Sequence, residues 1–124
     1  MRQDKPISDV EDLHVFQKAY LLSLEIHRKS LELPREEQFE LAAQMRRASK
    51  SICANLAEGF GKRSVSKAEF KRYLMIAIGS ADEIRLWIQY CKDLFYLNKE
   101  TALKWREEYQ NVAKMLTGLY HKWN

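Results

Sequence analysis

A chain of 124 residues that is 46% apolar and 31% charged, with only four glycines and two prolines, has the make-up of long amphipathic helices and not of short, turn-rich strands. The length fits one domain spanning 1–124, and an 11% aromatic content argues against disorder. No stretch approaches the roughly 18 apolar residues of a membrane span and no charged leader opens the chain, so the expectation is a cytoplasmic protein without membrane contact.

Residues 1 to 11 are polar, include Pro6 and carry no helical period, so they read as an arm. Ser8 followed by Glu11 has the spacing of a capping box, which places the first helix at about 9–33. Two apolar stripes run along it: Leu13, Phe16, Tyr20, Leu24 and Leu31 form one, and Val15, Ala19, Leu22 and Ile26 the other. That arc is too wide for a single seam. It leaves two accounts open, a helix sunk deep in its own bundle or a second face that packs on another subunit.

Pro34 ends this helix and opens the next, at about 35–59, because its fixed φ suits a first turn where no amide donor is needed. Leu41, Met45, Ala48, Ile52 and Leu56 step by four and three, and Gly59 is expected to supply the left-handed residue that commonly closes a helix. Phe60 to Val65 then form a short basic loop. Ser66 and Glu69 make a second capping box for a helix over 66–95, whose seam of Phe70, Leu74, Ala77, Ala81, Ile84, Ile88, Cys91 and Phe95 is the most regular in the chain. Asn98 caps a last helix over 99–123 with a stripe of Trp105, Tyr109, Val112, Leu116, Leu119 and Trp123. Short turns force antiparallel neighbours, so the predicted fold is all-α: an antiparallel up-down-up-down four-helix bundle.

Chemistry has few footholds in this pattern. A carboxylate-bridged metal pair needs two Glu-x-x-His spacings, and only Glu11 with His14 has one; His27 and His121 have no such partner. Cys53 and Cys91 stand far apart without a CxxC, and read as small core residues. Gly59-Phe60-Gly61-Lys62 lacks the preceding strand and the spacing of a phosphate loop. The expectation is no metal, no cofactor and no catalytic residue. One polar ladder stands out: Ser51, Asn55 and Glu58 at i, i+4 and i+7, with Ser80 and Glu83 on the next helix. Folding the chain back about 62–63 sets Glu58 opposite Lys67 and Asn55 opposite Phe70 to Lys71, a polar core that fixes register or serves an interface.

Charge is distributed unevenly. Arg46, Arg47, Lys50, Lys62, Arg63, Lys67, Lys71 and Arg72 face only Glu58 and Glu69 within 46–72, so that segment carries +6 and the remainder −2 of the formal +4. Arg46 and Lys50 on one helix, Lys67 and Lys71 on the next, and Lys62 and Arg63 between them are expected to form one patch suited to a phosphate backbone, multiplied if copies form a ring.

The block RRASKSICANLAEGFGKRS at 46–64, Glu69-Phe70, Tyr73-Leu74, Ala77-Ile78-Gly79-Ser80 with Glu83, Leu94 to Leu97, and DLHVFQKAYLL near the start together cover nearly the whole length. On these residues the chain resembles the four-helix bundle proteins encoded in intervening sequences of bacterial 23S rRNA genes. Phe16 stands where that family usually has tryptophan, and Cys53 where a small residue or proline is common. The resemblance implies an up-down bundle assembled into a ring-like homo-oligomer, a pentamer, with a positive surface and no established enzymatic reaction. A related branch is similar to the accessory variability determinant of diversity-generating retroelements, which partners a reverse transcriptase and binds nucleic acid. Carried over by position, Arg46, Arg47, Lys62, Arg63, Lys71 and Arg72 become the basic surface, and Asn55, Glu58 and Glu83 the polar core. The functional expectation is a non-enzymatic, oligomeric accessory protein binding RNA or DNA; the alternative is a protein-interaction scaffold, such as a partner of a reverse transcriptase.

Overall fold

The computed structural model describes residues 6–123; the first five residues of the expected arm, and Asn124, lie outside the described residues. Four α-helices, α1 (His14–Leu31), α2 (Leu41–Phe60), α3 (Lys67–Asp93) and α4 (Lys99–Lys122), make an all-helical bundle, with short 3-10 turns at Val10–Asp12 and Arg35–Glu37 and no strand among the described residues. Across α1 and α2, His27 meets Lys50 and Ser30 meets Arg46; across α2 and α3, Ser51 meets Ser80 and Arg47 meets Glu83. Across α3 and α4, Arg85 reaches the Arg106 carbonyl and Phe70 meets Trp123 edge to face. In each pair one number falls as the other rises, which is the order of antiparallel neighbours. Lys18 with Glu108, and Trp105 with Glu25, tie α4 back to α1. The four seams meet in a core where Ile26, Met45, Ile52, Leu56, Phe70, Leu74, Ile84, Ile88, Tyr109 and Leu116 are fully buried.

Helix ends depart from expectation where side chains reach beyond the local pattern. At the start, Asp12 and not Glu11 is the capping carboxylate: its Oδ2 accepts the Ser8 and Asp9 amides at 2.9 and 3.0 Å, fixing the Val10–Asp12 turn, and α1 begins only at His14. After Pro34 the chain makes one 3-10 turn, and α2 begins at Leu41. The Gln38 side chain holds this link by donating to the Ser30 and Leu33 carbonyls at 2.9 and 3.0 Å, the first of which also accepts the Leu33 amide at 3.2 Å. Ser66 accepts the Glu69 amide at 3.1 Å and Asn98 the Thr101 amide at 2.7 Å, so α3 and α4 start on side-chain caps.

Gly59 does not close its helix with a left-handed residue, for no glycine has positive φ and α2 runs on through Phe60. Its role is to let two helices touch: a Cβ there would lie 2.6 Å from Tyr73 Cβ. The left-handed residue is Phe95, with φ 66. The Phe95 amide reaches Lys92 O at 3.0 Å and the Tyr96 amide reaches Cys91 O at 2.9 Å, the two bonds of a Schellman ending in the position where glycine is usual. Phe95 was expected in the α3 seam, but the reversal turns its side chain out to 94% exposure. Phe95→Gly should therefore raise the unfolding free energy by about 1 kcal/mol, read as a higher urea midpoint, because the left-handed penalty disappears and no packing is lost.

Cys91 is buried and Cys53 half-buried, both as free thiols, and burial pushes each up to about 11. At neutral pH they stay protonated and act as small packing groups.

Candidate nucleic-acid interface at one end of the bundle

The eight basic residues singled out by sequence do not form one patch. Arg46 is half-buried at the α1–α2 link, where its guanidinium donates to Ser30 Oγ and Gln38 O, both at 2.8 Å, and to Gln38 Oε1 at 3.3 Å. Arg47 leans the other way, onto α3, and forms an ion pair with Glu83 while also bonding Gln44. Lys50 points to α1, with Nζ 3.0 Å from His27 Nδ1; burial, then Lys50, Arg46 and Arg28, hold the His27 imidazole below its usual range, so it stays a neutral acceptor for the ammonium. The expectation of a shared surface with Lys67 and Lys71 fails because i and i+4 on α2 face α1, while Lys71 on α3 lies over Tyr120 of α4.

Lys62, Arg63, Lys67, Lys71 and Arg72 are instead gathered at the far end, where α2 ends, α3 begins and α4 returns. From Arg46 to Phe60 the helix climbs roughly 21 Å, so this end is separate from the Arg46 site. Aromatic rings support the cations here. The Arg63 guanidinium lies 3.6 Å over the Phe60 ring and donates to the Phe60 carbonyl at 2.7 Å. Lys62 and Arg72 flank Tyr73 at 6.0 and 4.6 Å, and Lys71 lies 4.4 Å over Tyr120. Beside them a groove of about 480 Å³ has Leu13, Phe60, Leu119 and Trp123 in its wall and Arg63, Lys67 and Lys122 at its edge. Within the cluster Arg72 bonds Glu69 and holds its carboxyl below the usual range. Cations next to flat apolar faces are what a single strand or an unpaired loop uses, with phosphates on the charges and bases on the rings.

Lys122 and the rings of Tyr73 and Tyr120 were missed by sequence reasoning. Only the antiparallel return of α4, which sets Trp123 at 5.1 Å from Phe70, brings residue 122 to the start of α3, and no local motif reports that.

The polar ladder is partly assembled. Ser51 Oγ and Ser80 Oγ are 2.9 Å apart, and Asn55 Nδ2 donates to Ser51 O at 2.8 Å and Ser51 Oγ at 3.0 Å. Glu83 accepts Trp87 Nε1 at 2.9 Å besides pairing with Arg47. Glu58 stands apart and exposed, in contrast to its expected place in the core. The α2–α3 pairing folds about Val65 and Ser66, not 62–63, so Glu58 is level with Tyr73 at the outer edge and never meets Lys67. Among the described residues no three histidine, cysteine, aspartate or glutamate side chains converge to hold a metal ion, and no helix is long and apolar enough to cross a membrane.

The family model of the 23S rRNA-intervening sequence protein matches residues 11–118. A solved crystal structure of similar fold is a protein of unknown function from the S23 ribosomal protein family of Bacteroides thetaiotaomicron VPI-5482, 22% identical, with a TM-score of 0.74 over 86% of this chain and 97% of that one. No curated protein matches the chain at a significant level. The match over nearly its whole length places the chain in the 23S rRNA-intervening sequence protein family.

Proposed function

We propose that this member of the 23S rRNA-intervening sequence protein family is a non-enzymatic, self-associating cytoplasmic bundle that binds RNA or DNA through the aromatic, basic end formed by Lys62, Arg63, Lys67, Lys71, Arg72 and Lys122. The observation that carries the reading is the clustering of these cations around Phe60, Tyr73, Tyr120 and Trp123 at one end of the molecule. Assembly into a ring, a pentamer on the family resemblance, brings several such ends to one nucleic acid, and the local fields add.

Fluorescence anisotropy with labelled structured RNA and duplex DNA tests it. If four phosphates are neutralised per site, affinity should fall roughly 50- to 150-fold between 50 and 200 mM salt. The triple variant Arg63→Glu, Lys67→Glu, Lys122→Glu should bind at least about 100-fold more weakly, whereas Lys99→Glu with Lys104→Glu at the opposite end should leave binding within about twofold. Salt-independent binding, or equal losses in both variants, would refute the assignment.

A second reading, a protein-interaction scaffold, is favoured by the opposite end. Phe39 and Phe95 are 93% and 94% exposed there, on an end that also carries Glu36, Glu37, Glu40 and Asp93. It predicts nuclease-resistant association with a protein partner that is lost in Phe39→Ser, Phe95→Ser and kept in the triple charge reversal.

A further inference from the structure

Two helices, α1 and α3, carry an apolar face that the bundle does not use, and they lie diagonally across it without touching. On α1 the stripe Val15, Ala19, Leu22, Ile26 is buried, while Leu21 is 61% exposed and Tyr20 and Leu31 are also exposed. On α3, behind the Phe70 to Cys91 seam, Met75 is 54% and Leu86 51% exposed, with Ile76 and Tyr90 beside them. Gly79 lies in the middle of this outer face. A Cβ there would meet nothing within 4 Å, so nothing in its own chain requires a glycine, which in a helix interior costs about 1 kcal/mol relative to alanine.

The two faces correspond level by level. Both α1 and α3 run antiparallel to α2, and therefore run the same way. Along α2, Lys50 meets His27 on one side while its neighbour Ser51 meets Ser80 on the other; Arg46 meets Ser30 while Arg47 meets Glu83. Each pair of contacts puts a residue of α1 level with the residue numbered 54 higher in α3. Leu21 is then level with Met75, Leu24 within a residue of Gly79, Arg28 level with Asp82, and Leu31 within a residue of Leu86. A one-residue mismatch is only about 1.5 Å. Arg28 and Asp82 are both exposed, and neither has an ion pair or hydrogen bond within the described residues. The steps of three, four and three on α1, and of four, three and four on α3, are those of helices packed knobs into holes.

We propose that the occupant of each face is a second copy: the outer face of α1 packs parallel on the outer face of α3 of the next subunit, with Leu24 seated over Gly79 and Arg28 paired with Asp82. This rests on the self-association stated above and identifies the surfaces that perform it. Because the two faces lie on diagonal helices of one bundle, the contact is head-to-tail, and because partners share a level along the bundle, copies add without axial rise. A head-to-tail contact with no rise closes into a ring when the two faces are turned from direct opposition, the rotation per copy then setting the number of subunits.

Light scattering coupled to size exclusion tests this on the full chain. Leu21→Glu with Arg28→Glu removes the α1 face, and Met75→Glu with Leu86→Glu removes the α3 face; all four positions are exposed, and circular dichroism checks that each variant is folded. Each variant alone should fall to the mass of one subunit. Mixed, they should form a 1:1 dimer and nothing larger, since one intact joint remains. The exchange Arg28→Glu with Asp82→Lys in one chain should recover the wild-type mass that either substitution alone reduces, and Gly79→Arg should abolish assembly while circular dichroism still reports a folded helical chain. A wild-type monomer would sink self-association itself; a wild-type oligomer whose mass both face variants retain, or an α3-face variant that still dimerises with itself, would overturn the α1-to-α3 joint alone.

Discussion

Gly59→Ala is expected to lower the unfolding free energy by about 2 kcal/mol, although alanine is the better helix former by about 1 kcal/mol. The new methyl would lie 2.6 Å from Tyr73 Cβ, 3.2 Å from Tyr73 Cγ and 3.3 Å from Phe70 Cδ1. Tyr73 Cβ is fixed to the α3 backbone and cannot swing aside, so α2 and α3 must separate. Phe70 is fully buried and packs edge-on against Phe60 and Trp123 at 6.2 and 5.1 Å, so the separation opens the core directly beneath the basic end. Gly118→Ala, where a Cβ would meet nothing within 4 Å, should instead stabilise by about 1 kcal/mol. Urea midpoints of the two variants should therefore move in opposite directions. If Gly59→Ala were as stable as the wild type, the close approach of α2 to α3 would be wrong.

Much of the fold could be read from one strand of information, the four-three spacing of apolar residues. Phe70 through Cys91 and Trp105 through Leu116 are buried as that spacing dictates, because a helix seam is a property of the chain taken alone. What the spacing cannot carry is a partner's identity. Gly59 owes its place to Tyr73 on another helix, and Gln38 leaves a 3-10 turn to serve carbonyls of the preceding one. Phe95 satisfies the α3 spacing and yet leaves the core, because the chain reverses one residue earlier than the stripe ends. For the candidate interface the charged segment was legible and its geometry was not. Formal charge counts Arg46, Arg47 and Lys50 equally with Lys62 and Arg63, whereas rotation about α2 sends the first three to internal or neighbouring partners and leaves the others at the end. The double stripe on α1 was the one sequence feature that pointed past the single chain, and the exposed Leu21, Tyr20 and Leu31 keep that question on the same helix.

Arg46 separates charge as a count from charge as a position. Its three hydrogen bonds hold Ser30, the last buried residue of α1, against Gln38 in the link to α2, and Gln38 in turn covers the Ser30 and Leu33 carbonyls. A bond from a charged donor is worth about 1.5 to 3 kcal/mol when its partner is left unsatisfied, and partial exposure of this site lets water recover some of that. Arg46→Met keeps the aliphatic stem and removes the fork, so unfolding free energy should fall by about 2 to 3 kcal/mol; Arg46→Lys, which can reach one acceptor but not two in a fixed plane, should lose roughly half as much. Nucleic-acid affinity, measured well below the lowered thermal midpoint, should stay within about twofold of the wild type. Lys67→Glu with Lys122→Glu should show the reverse pattern, a steep loss of affinity with little change in stability, because these cations sit at the edge of an open groove. Arg46→Met with wild-type stability and weakened binding would mean that Arg46 faces outward after all, and that the single basic patch expected from sequence is the correct arrangement.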